Sequence, residues 1–290
     1  LLLTGNALAT TGEFYDAFHG AGDLYATLTI SAFATPNMQE GREVIPGLVT
    51  PADVAERKQE WGEESPLYRA SVLGEFPDDL EDVVVSRSLL MAAQARTLEV
   101  AKDTMATLSC DVARFGDDKT SVWHIRGGAC APVWTAQGKD TQAIAGKLLT
   151  LAGDVTLQVD TIVVDDTGVG GGVTDRLREE KRNGRLQGVS VIAFNGGAKA
   201  QREDRYVNAI TEAWLSFAQA CRDGRVVLNG DGAAAIAQFS ARRYEIQGDR
   251  RLRLEPKDDY KKRAGRSPDD ADALAMGFSP LAHRRVLRFT

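Results

Sequence analysis

Histidine and cysteine are scarce in this sequence, which limits the kinds of site that it could form. Its 290 residues include three histidines and three cysteines. Cys110, Cys130 and Cys221 are far apart and odd in number, so they predict neither a disulfide framework nor a zinc site. The histidines are not paired at a spacing that would suit a metal or a nucleophilic triad. Any catalysis by this chain must therefore depend on carboxylates.

Long apolar runs and nucleotide-binding loops are also absent from the sequence. No run of about 18 uncharged apolar residues occurs, so no transmembrane helix and no membrane partner are expected. The first residues, Leu1–Asn6, lack an initiator methionine and a basic segment, so they do not indicate a signal peptide. We expect them to be a strand within a longer protein. No GxxxxGK[ST] motif occurs, and we expect no ATP hydrolysis by this chain alone.

The composition is that of a folded protein with an uneven charge distribution. Hydrophobic residues make up 43% and charged residues 26%, which excludes a disordered or collagen-like chain. The net charge is −6, but acidic residues dominate residues 1–100 and basic residues are in slight excess afterwards. The basic excess is strongest over Arg242–Arg266. This stretch is compatible with a polyanionic partner and equally with a solvated surface.

Residues 1–95 are expected to form the end of an α/β unit followed by a linker. Apolar residues predict short strands at Leu1–Thr4 and Leu24–Phe33, the second from its period of two. Thr50 as N-cap, with proline next, predicts a helix that ends near Trp61. Residues 65–90 are expected to be a connector.

Residues 96–290 are expected to form an α/β domain with a mixed sheet flanked by helices. Short turns separate three predicted strands, which favours an antiparallel meander. Helices and strands then alternate, and a helix at Ser267–Phe278 ends the order, with Ser267 as N-cap and Asp270 at N3. This order resembles a ribonuclease H-like domain. The strands are expected at Thr107–Val112, Ser121–Arg126, Ala131–Thr135, Thr161–Val164, Val189–Phe194, Val226–Leu228 and Arg251–Leu254, and the helices at Asp140–Leu151, Val173–Lys181 and Asp204–Arg222.

Aspartates stand at the ends of these predicted elements. Asp111 ends the first strand of the domain, Asp165 ends the fourth, and Asp269 and Asp272 share one face of the last helix. Clustered carboxylates repel one another unless a cation neutralises them, and Mg²⁺ or Mn²⁺ suits oxygen ligands. Two such ions could activate water for phosphodiester hydrolysis. The alternative is that each aspartate is only a turn residue or a helix cap.

A glycine-rich run, residues 168–172, follows Asp165 directly. It could cradle a phosphate, but it lacks the GxGxxG spacing. We favour the interpretation that these glycines permit a tight turn from strand to helix.

Several stretches together resemble the large terminase subunit of tailed bacteriophages and prophages, the motor-nuclease that packages DNA. Upstream segments are similar to the family's link between motor and nuclease and to a coupling motif late in its ATPase domain. The Walker motifs are absent, so the resemblance covers the end of the ATPase domain and the nuclease domain. The matching stretches are Thr4–Asn6, Trp61–Tyr68, Leu73–Pro77, Asp111–Thr120, Ile162–Gly171 and Lys262–Leu274.

The resemblance implies a ribonuclease H-like nuclease with a two-metal acidic site. Asp111, Asp165 and Asp269 would be the catalytic metal ligands, and Asp272 would be a further ligand. Three neighbouring residues stay open as alternatives. These are Asp166 in place of Asp165, Asp270 in place of Asp269, and Asp118 on the loop after the first strand.

The expected function is metal-dependent cutting of concatemeric double-stranded DNA, with two Mg²⁺ or Mn²⁺ ions, in the host cytoplasm. Lys257, Lys262 and Arg263 could contact DNA phosphates, or could simply be solvated. The resemblance implies a portal protein and a small terminase subunit as partners, and a ring oligomer only with the full motor. The alternatives are a resolvase-like nuclease and a non-catalytic module that docks DNA or portal through residues 242–266.

Overall fold

The computed structural model describes residues 2–5, 7, 13–19, 24–63, 65–76, 83–101, 104–113 and 118–282. The chain divides into two compact units, Leu1–Asp82 and Val83–Thr290. The division falls earlier in the sequence than residue 95, where the sequence analysis places the boundary. No helix in the described ranges is long and apolar enough to cross a bilayer.

The first unit is built from short helices. Thr50 caps the helix at Pro51–Trp61 as predicted, and a reciprocal bond from its own N–H to Asp53 Oδ2 at 2.8 Å completes a capping box. A small core of Ala32, Val54, Tyr68 and Val72 packs beside it. The helices are α1 (Glu13–His19), α2 (Pro36–Gln39), α3 (Pro51–Trp61) and α4 (Pro66–Tyr68), with a 3₁₀ turn at Ala32–Ala34 and a π-helical turn at Arg69–Leu73.

The two strands predicted in the first unit are wrong. Residues 2–4 and 26–31 have no regular secondary structure, and Leu1 and Asn6 lie outside the described residues. A β-strand needs a neighbouring strand to pair with its backbone hydrogen-bonding groups, and the described residues of this unit include no such strand. Leu28 and Ile30 are accordingly 78% and 65% exposed. Alternation of apolar residues alone is therefore not enough to predict a strand here.

The second unit contains a six-stranded mixed sheet and a separate antiparallel pair of strands. The strands are β1 (Ala106–Asp111), β2 (Thr120–Arg126), β3 (Ala129–Ala136), β4 (Val159–Asp165), β5 (Ser190–Phe194), β6 (Val227–Leu228), β7 (Tyr244–Ile246) and β8 (Leu252–Leu254). The order in the large sheet is β5-β4-β1-β2-β3-β6, and β7 pairs with β8. β1, β2 and β3 form the predicted antiparallel meander, while β4, β5 and β6 join in parallel.

Helices cover both faces of this sheet, so the predicted α/β architecture is confirmed. Leu108 and Cys110 pack with Ile144 and Val173 in the core on one face. Ser109, between them in the strand, lies on the opposite face against Gly277 at the end of the last helix. The helices are α5 (Arg87–Ala95), α6 (Thr141–Ala152), α7 (Gly171–Arg182), α8 (Ala209–Arg222), α9 (Ala233–Phe239), α10 (Lys257–Ala264) and α11 (Asp269–Met276).

In the second unit, helix boundaries differ from the prediction and three helices were not predicted. α8 starts at Ala209 rather than Asp204, because the side chain of Asn208 accepts the Thr211 N–H at 3.1 Å and caps the helix there. α5, α9 and α10 were not predicted. α10 buries only Tyr260 among its residues, so it lacks the apolar periodicity that identifies a helix.

Candidate active site

Two aspartates end neighbouring parallel strands at one edge of the sheet. Asp111 is the last residue of β1, and Asp165 is the last residue of β4. The residues before them, Cys110 and Val164, are paired in register. The two carboxylates therefore emerge side by side at the carboxyl ends of adjacent strands, where ligands bind in open α/β sheets.

The glycine-rich turn after β4 holds Asp165 in place. A Cβ atom at Gly170 would overlap the backbone carbonyl oxygen of Asp165, so the chain can approach this closely only with glycine. The Thr167 N–H donates to Asp165 Oδ1 at 2.9 Å. α7 begins directly afterwards, at Gly171. The prediction of a tight strand-to-helix turn beside Asp165 is confirmed.

The first turn of α11 contributes a second pair of carboxylates. Asp269 and Asp272 are each 6% exposed. Asp269 Oδ2 accepts the backbone N–H of Lys119 at 2.8 Å. Asp270, next to it, accepts a hydrogen bond from the Ser121 hydroxyl at 2.6 Å and so interacts with β2.

The start of α11 differs from the predicted cap. Ser267 was expected at the N-cap, but Pro268 takes that position and Asp269 is the first helical residue. The Ser267 hydroxyl is buried and has no hydrogen-bond partner in the part of the chain that the structure describes. The predicted role of Asp270 in a capping box is wrong, because its carboxylate binds β2 instead.

The ammonium group of Lys257 lies among three of these carboxylates. Its Nζ is 3.2 Å from Asp111 Oδ2, 3.4 Å from Asp269 Oδ1 and 3.1 Å from Asp272 Oδ2. Lys257 is the first residue of α10, and its side chain is 40% exposed. Acidic side chains from β1 and α11 thus converge on one positive charge. We call Asp111, Asp165, Asp269 and Asp272 the carboxylate cluster.

Burial and charge act against each other in the carboxylate cluster. Burial raises the pKa of Asp111 well above its usual range; Lys257 opposes this rise, and the charges of Asp272, Asp165 and Asp269 increase it. Burial also raises the pKa of Asp165. Burial disfavours the charged form of Lys257, but attraction to the carboxylates outweighs it and raises the pKa of the lysine. Lys257 therefore stays protonated and offsets the repulsion.

Two residues that the sequence analysis missed contact Asp272. Trp214 Nε1–H and the Arg242 guanidinium donate to Asp272 Oδ1 at 2.9 and 3.1 Å. Burial alone would raise the pKa of Asp272, but the charges of Lys257 and Arg242 outweigh it and lower the pKa. Arg242 begins the basic stretch of the sequence, but Trp214 carries no sequence signal, because its contact depends on the packing of α8 against α11.

Sequence comparison identifies a described protein that is similar to this chain. No protein-family model matches it. It is 25% identical over 298 aligned residues to the probable large terminase subunit of Enterobacteria phage P7, an alignment that covers 95% of this chain and 56% of that protein. The chain resembles large terminase subunits. The resemblance stated from its motifs is thus confirmed, and the chain spans little more than half the length of this relative.

Solved terminase nuclease domains share the fold of about two thirds of this chain. The nuclease domain of the large terminase subunit gp2 of bacterial virus Sf6 matches with a TM-score of 0.54 at 18% identity, covering 68% of this chain and 98% of that domain. A variant of this gp2 domain solved with calcium matches with a TM-score of 0.57, also at 18% identity and with the same coverage. The expected ribonuclease H-like architecture is confirmed.

Contacts are defined for two of the residues that stay open as alternative ligands. Asp118, on the loop after β1, forms an ion pair with Lys261 of α10 at 2.6 Å. The backbone N–H of Asp166 donates to the Phe194 carbonyl at 2.8 Å. Residues 114–117, which precede Asp118, lie outside the described residues.

The three basic residues predicted to contact DNA have different surroundings. Lys257 contacts the carboxylate cluster, as described above. Lys262 is exposed, with its Nζ 3.2 Å from Asp259. Arg263 is paired with Glu255 at 2.8 Å and also donates to the carbonyl of Ala241. Of the three, Lys262 presents its charge most openly to solvent, at 78% exposure.

The donor set of the carboxylate cluster fits a hard divalent cation. It consists of oxygen ligands, which Mg²⁺ and Mn²⁺ prefer. In the conformation observed, no three His, Cys, Asp or Glu side chains within the described ranges are arranged to hold a metal ion together. The Lys257 ammonium lies between Asp111, Asp269 and Asp272 instead, so these carboxylates already surround one positive charge.

Proposed function

We propose that the chain is a metal-dependent endonuclease that cleaves double-stranded DNA during phage genome packaging. One observation carries the proposal. Acidic side chains from β1 and α11 converge around the Lys257 ammonium, and Asp165 lies at the end of β4, the strand next to β1. A fold shared with terminase nuclease domains and the similarity to a probable large terminase subunit support the same role.

In this proposal, Asp111, Asp165 and Asp269 are the catalytic ligands of two divalent ions, Mg²⁺ or Mn²⁺, and Asp272 is the further ligand. Such ions activate water and stabilise the leaving oxygen of a phosphodiester when bound. Contacts within the chain orient the carboxylates. The turn at Gly170 fixes Asp165, and the Lys119 N–H orients Asp269. Lys257 balances their charge in the conformation observed.

DNA binding in this proposal depends mainly on charge. Lys262 is exposed and would contact a backbone phosphate without reading sequence. Arg263 would do so only by exchanging Glu255 for a phosphate, and Lys257 only after leaving the carboxylate cluster. Removing one phosphate contact lowers the salt dependence of binding by about one unit of slope.

The wider packaging role follows from the terminase resemblance. Concatemeric DNA would be the substrate, and the portal protein and small terminase subunit would be partners, in the cytoplasm of the host cell. Residues 1–95 would correspond to the end of the ATPase domain and its linker. A ring oligomer would form only with the complete motor.

Plasmid cleavage by an Asp111 variant tests the proposal. Supercoiled plasmid is incubated with the native chain and with Asp111→Asn, in Mg²⁺, Mn²⁺ or EDTA. The native chain should cleave only with a divalent ion, and Asp111→Asn should lose at least about a hundredfold in rate while DNA binding is retained. The matched control, Asp258→Asn, removes an exposed carboxylate from α10 and should cleave normally. DNA binding without any cleavage by the native chain would favour a docking module instead.

A further inference from the structure

The two oxygens of Asp272 have different surroundings. Oδ2 lies 3.1 Å from the Lys257 ammonium and so belongs to the carboxylate cluster. Oδ1 accepts hydrogen bonds from Trp214 Nε1–H at 2.9 Å and from the Arg242 guanidinium at 3.1 Å. A carboxylate oxygen offers about two lone-pair directions. Two donors therefore occupy Oδ1 and leave Oδ2 to face the cation.

Arg242 is fixed by contacts on several sides. Its Nε and a terminal nitrogen donate to the Glu255 carbonyl oxygen at 3.1 and 2.8 Å, and a second terminal nitrogen remains for Asp272. The guanidinium carbon lies 4.9 Å from the ring centre of Trp214 and 5.5 Å from that of Tyr260. Arg242 is buried, so no alternative solvent contact competes for its charge. Its donor to Asp272 therefore has a fixed direction.

Trp214 is equally constrained. It is fully buried on α8, and its ring packs against Phe239 with the centroids 4.5 Å apart. The indole N–H thus points at Asp272 from a second element, while Arg242 approaches from the segment before β7. Two rigid donors from separate elements define one orientation of the Asp272 carboxylate.

We propose that Trp214 and Arg242 are positioning residues that hold Asp272 with Oδ2 directed into the carboxylate cluster and thereby set its affinity for a divalent ion. The inference rests on the proposed nuclease function. Residues that orient metal ligands typically change metal affinity 10- to 100-fold when they are replaced. Neither residue contacts the substrate in this scheme, so DNA affinity should not depend on them.

Trp214→Phe tests this role, because it keeps an aromatic ring and removes the N–H donor. The matched control is Trp123→Phe, since Trp123 is also buried and its Nε1 has no hydrogen-bond partner among the residues that the structure describes. Mn²⁺ binding to the 290-residue chains is measured without DNA, by the loss of the free-ion electron paramagnetic resonance signal. We expect Trp214→Phe to bind Mn²⁺ about tenfold more weakly than the native chain and Trp123→Phe to bind within about twofold of it.

Cleavage kinetics over a range of DNA concentrations, up to saturation, give a second measurement. Turnover by Trp214→Phe should fall at limiting Mn²⁺ and recover at high Mn²⁺, with the apparent KM for DNA unchanged. Equal Mn²⁺ affinity of Trp214→Phe and Trp123→Phe would overturn the positioning role and leave the nuclease proposal intact. A native chain that neither binds Mn²⁺ nor cleaves DNA would overturn both.

Arg242→Lys provides an independent test if Trp214→Phe fails to fold. Lysine keeps the positive charge, but a single ammonium cannot reproduce the planar arrangement that reaches both the Glu255 carbonyl and Asp272. This variant should also bind Mn²⁺ about tenfold more weakly. Native affinity in Arg242→Lys would mean that charge alone, rather than direction, is what Asp272 requires, and would contradict the proposal for Arg242.

Discussion

Lys257 supplies the positive charge that holds buried carboxylates close together. Its Nζ contacts Asp111, Asp269 and Asp272 within 3.1 to 3.4 Å. In the proposed metal-bound state the lysine would compete with a divalent ion, because both would neutralise the same oxygens. Charge balance at this site therefore depends on Lys257 together with the Arg242 guanidinium that contacts Asp272.

Replacing Lys257 by glutamine should destabilise the chain when no divalent ion is present. The carboxylates would lose their counter-charge, at a cost of about 1–2 kcal/mol, at the low end for such pairs because the lysine is 40% exposed. The melting temperature in EDTA should fall by roughly 2–8 °C, and millimolar Mg²⁺ should restore it. Lys262→Gln on the same helix should melt like the native chain. Equal melting of both variants would contradict the charge-balance account.

The neighbours Asp269 and Asp270 should differ in function despite their adjacency. Asp269 contacts Lys257, whereas Asp270 accepts the Ser121 hydroxyl. Asp269→Asn should lower the metal-dependent plasmid cleavage rate by about a hundredfold or more. Asp270→Asn should cleave within a few-fold of native and lose about 1 kcal/mol in the free energy of unfolding. The reverse pattern would assign the metal ligand to Asp270.

Residues at the ends of strands and at the start of a helix were the candidate site residues that the sequence could predict. Asp111 and Asp165 follow apolar strands, and Asp269 opens a helix, so their positions could be inferred from local patterns. Trp214 and Arg242 could not be inferred, because their contacts to Asp272 require α8, α11 and the segment before β7 to pack together. Similarly, the sheet strands were predicted by their apolar runs, while α10, with one buried residue, was not.

The turn between β4 and α7 should tolerate a methyl group at one glycine and not at its neighbour. Gly170→Ala would place a Cβ against the Asp165 carbonyl, so the turn must shift. We expect a loss of roughly 1–3 kcal/mol in the free energy of unfolding, measured by urea denaturation, and slower plasmid cleavage. Gly171→Ala is the control, since the nearest atom to its added Cβ is 3.9 Å away. Equal stability of both variants would contradict this geometry.

At the scale of the whole molecule, all four carboxylates belong to the second compact unit, Val83–Thr290. This unit has its own six-stranded sheet with helices on both faces. We therefore expect a fragment of residues 83–290 to unfold cooperatively and to cleave plasmid with Mn²⁺ at a rate within about tenfold of the longer chain. The same fragment with Asp111→Asn is the control. A folded but inactive fragment would mean that residues 1–82 contribute to the site.

The proposed nuclease activity requires the carboxylate cluster to bind divalent cations in place of the Lys257 ammonium. Crystals soaked in Mn²⁺ provide a direct test by anomalous diffraction. We expect anomalous peaks within coordination distance of Asp111, Asp165, Asp269 and Asp272, with the lysine side chain turned outward. Saturating Mn²⁺ with no peak at these residues, and Lys257 still bound among them, would contradict it.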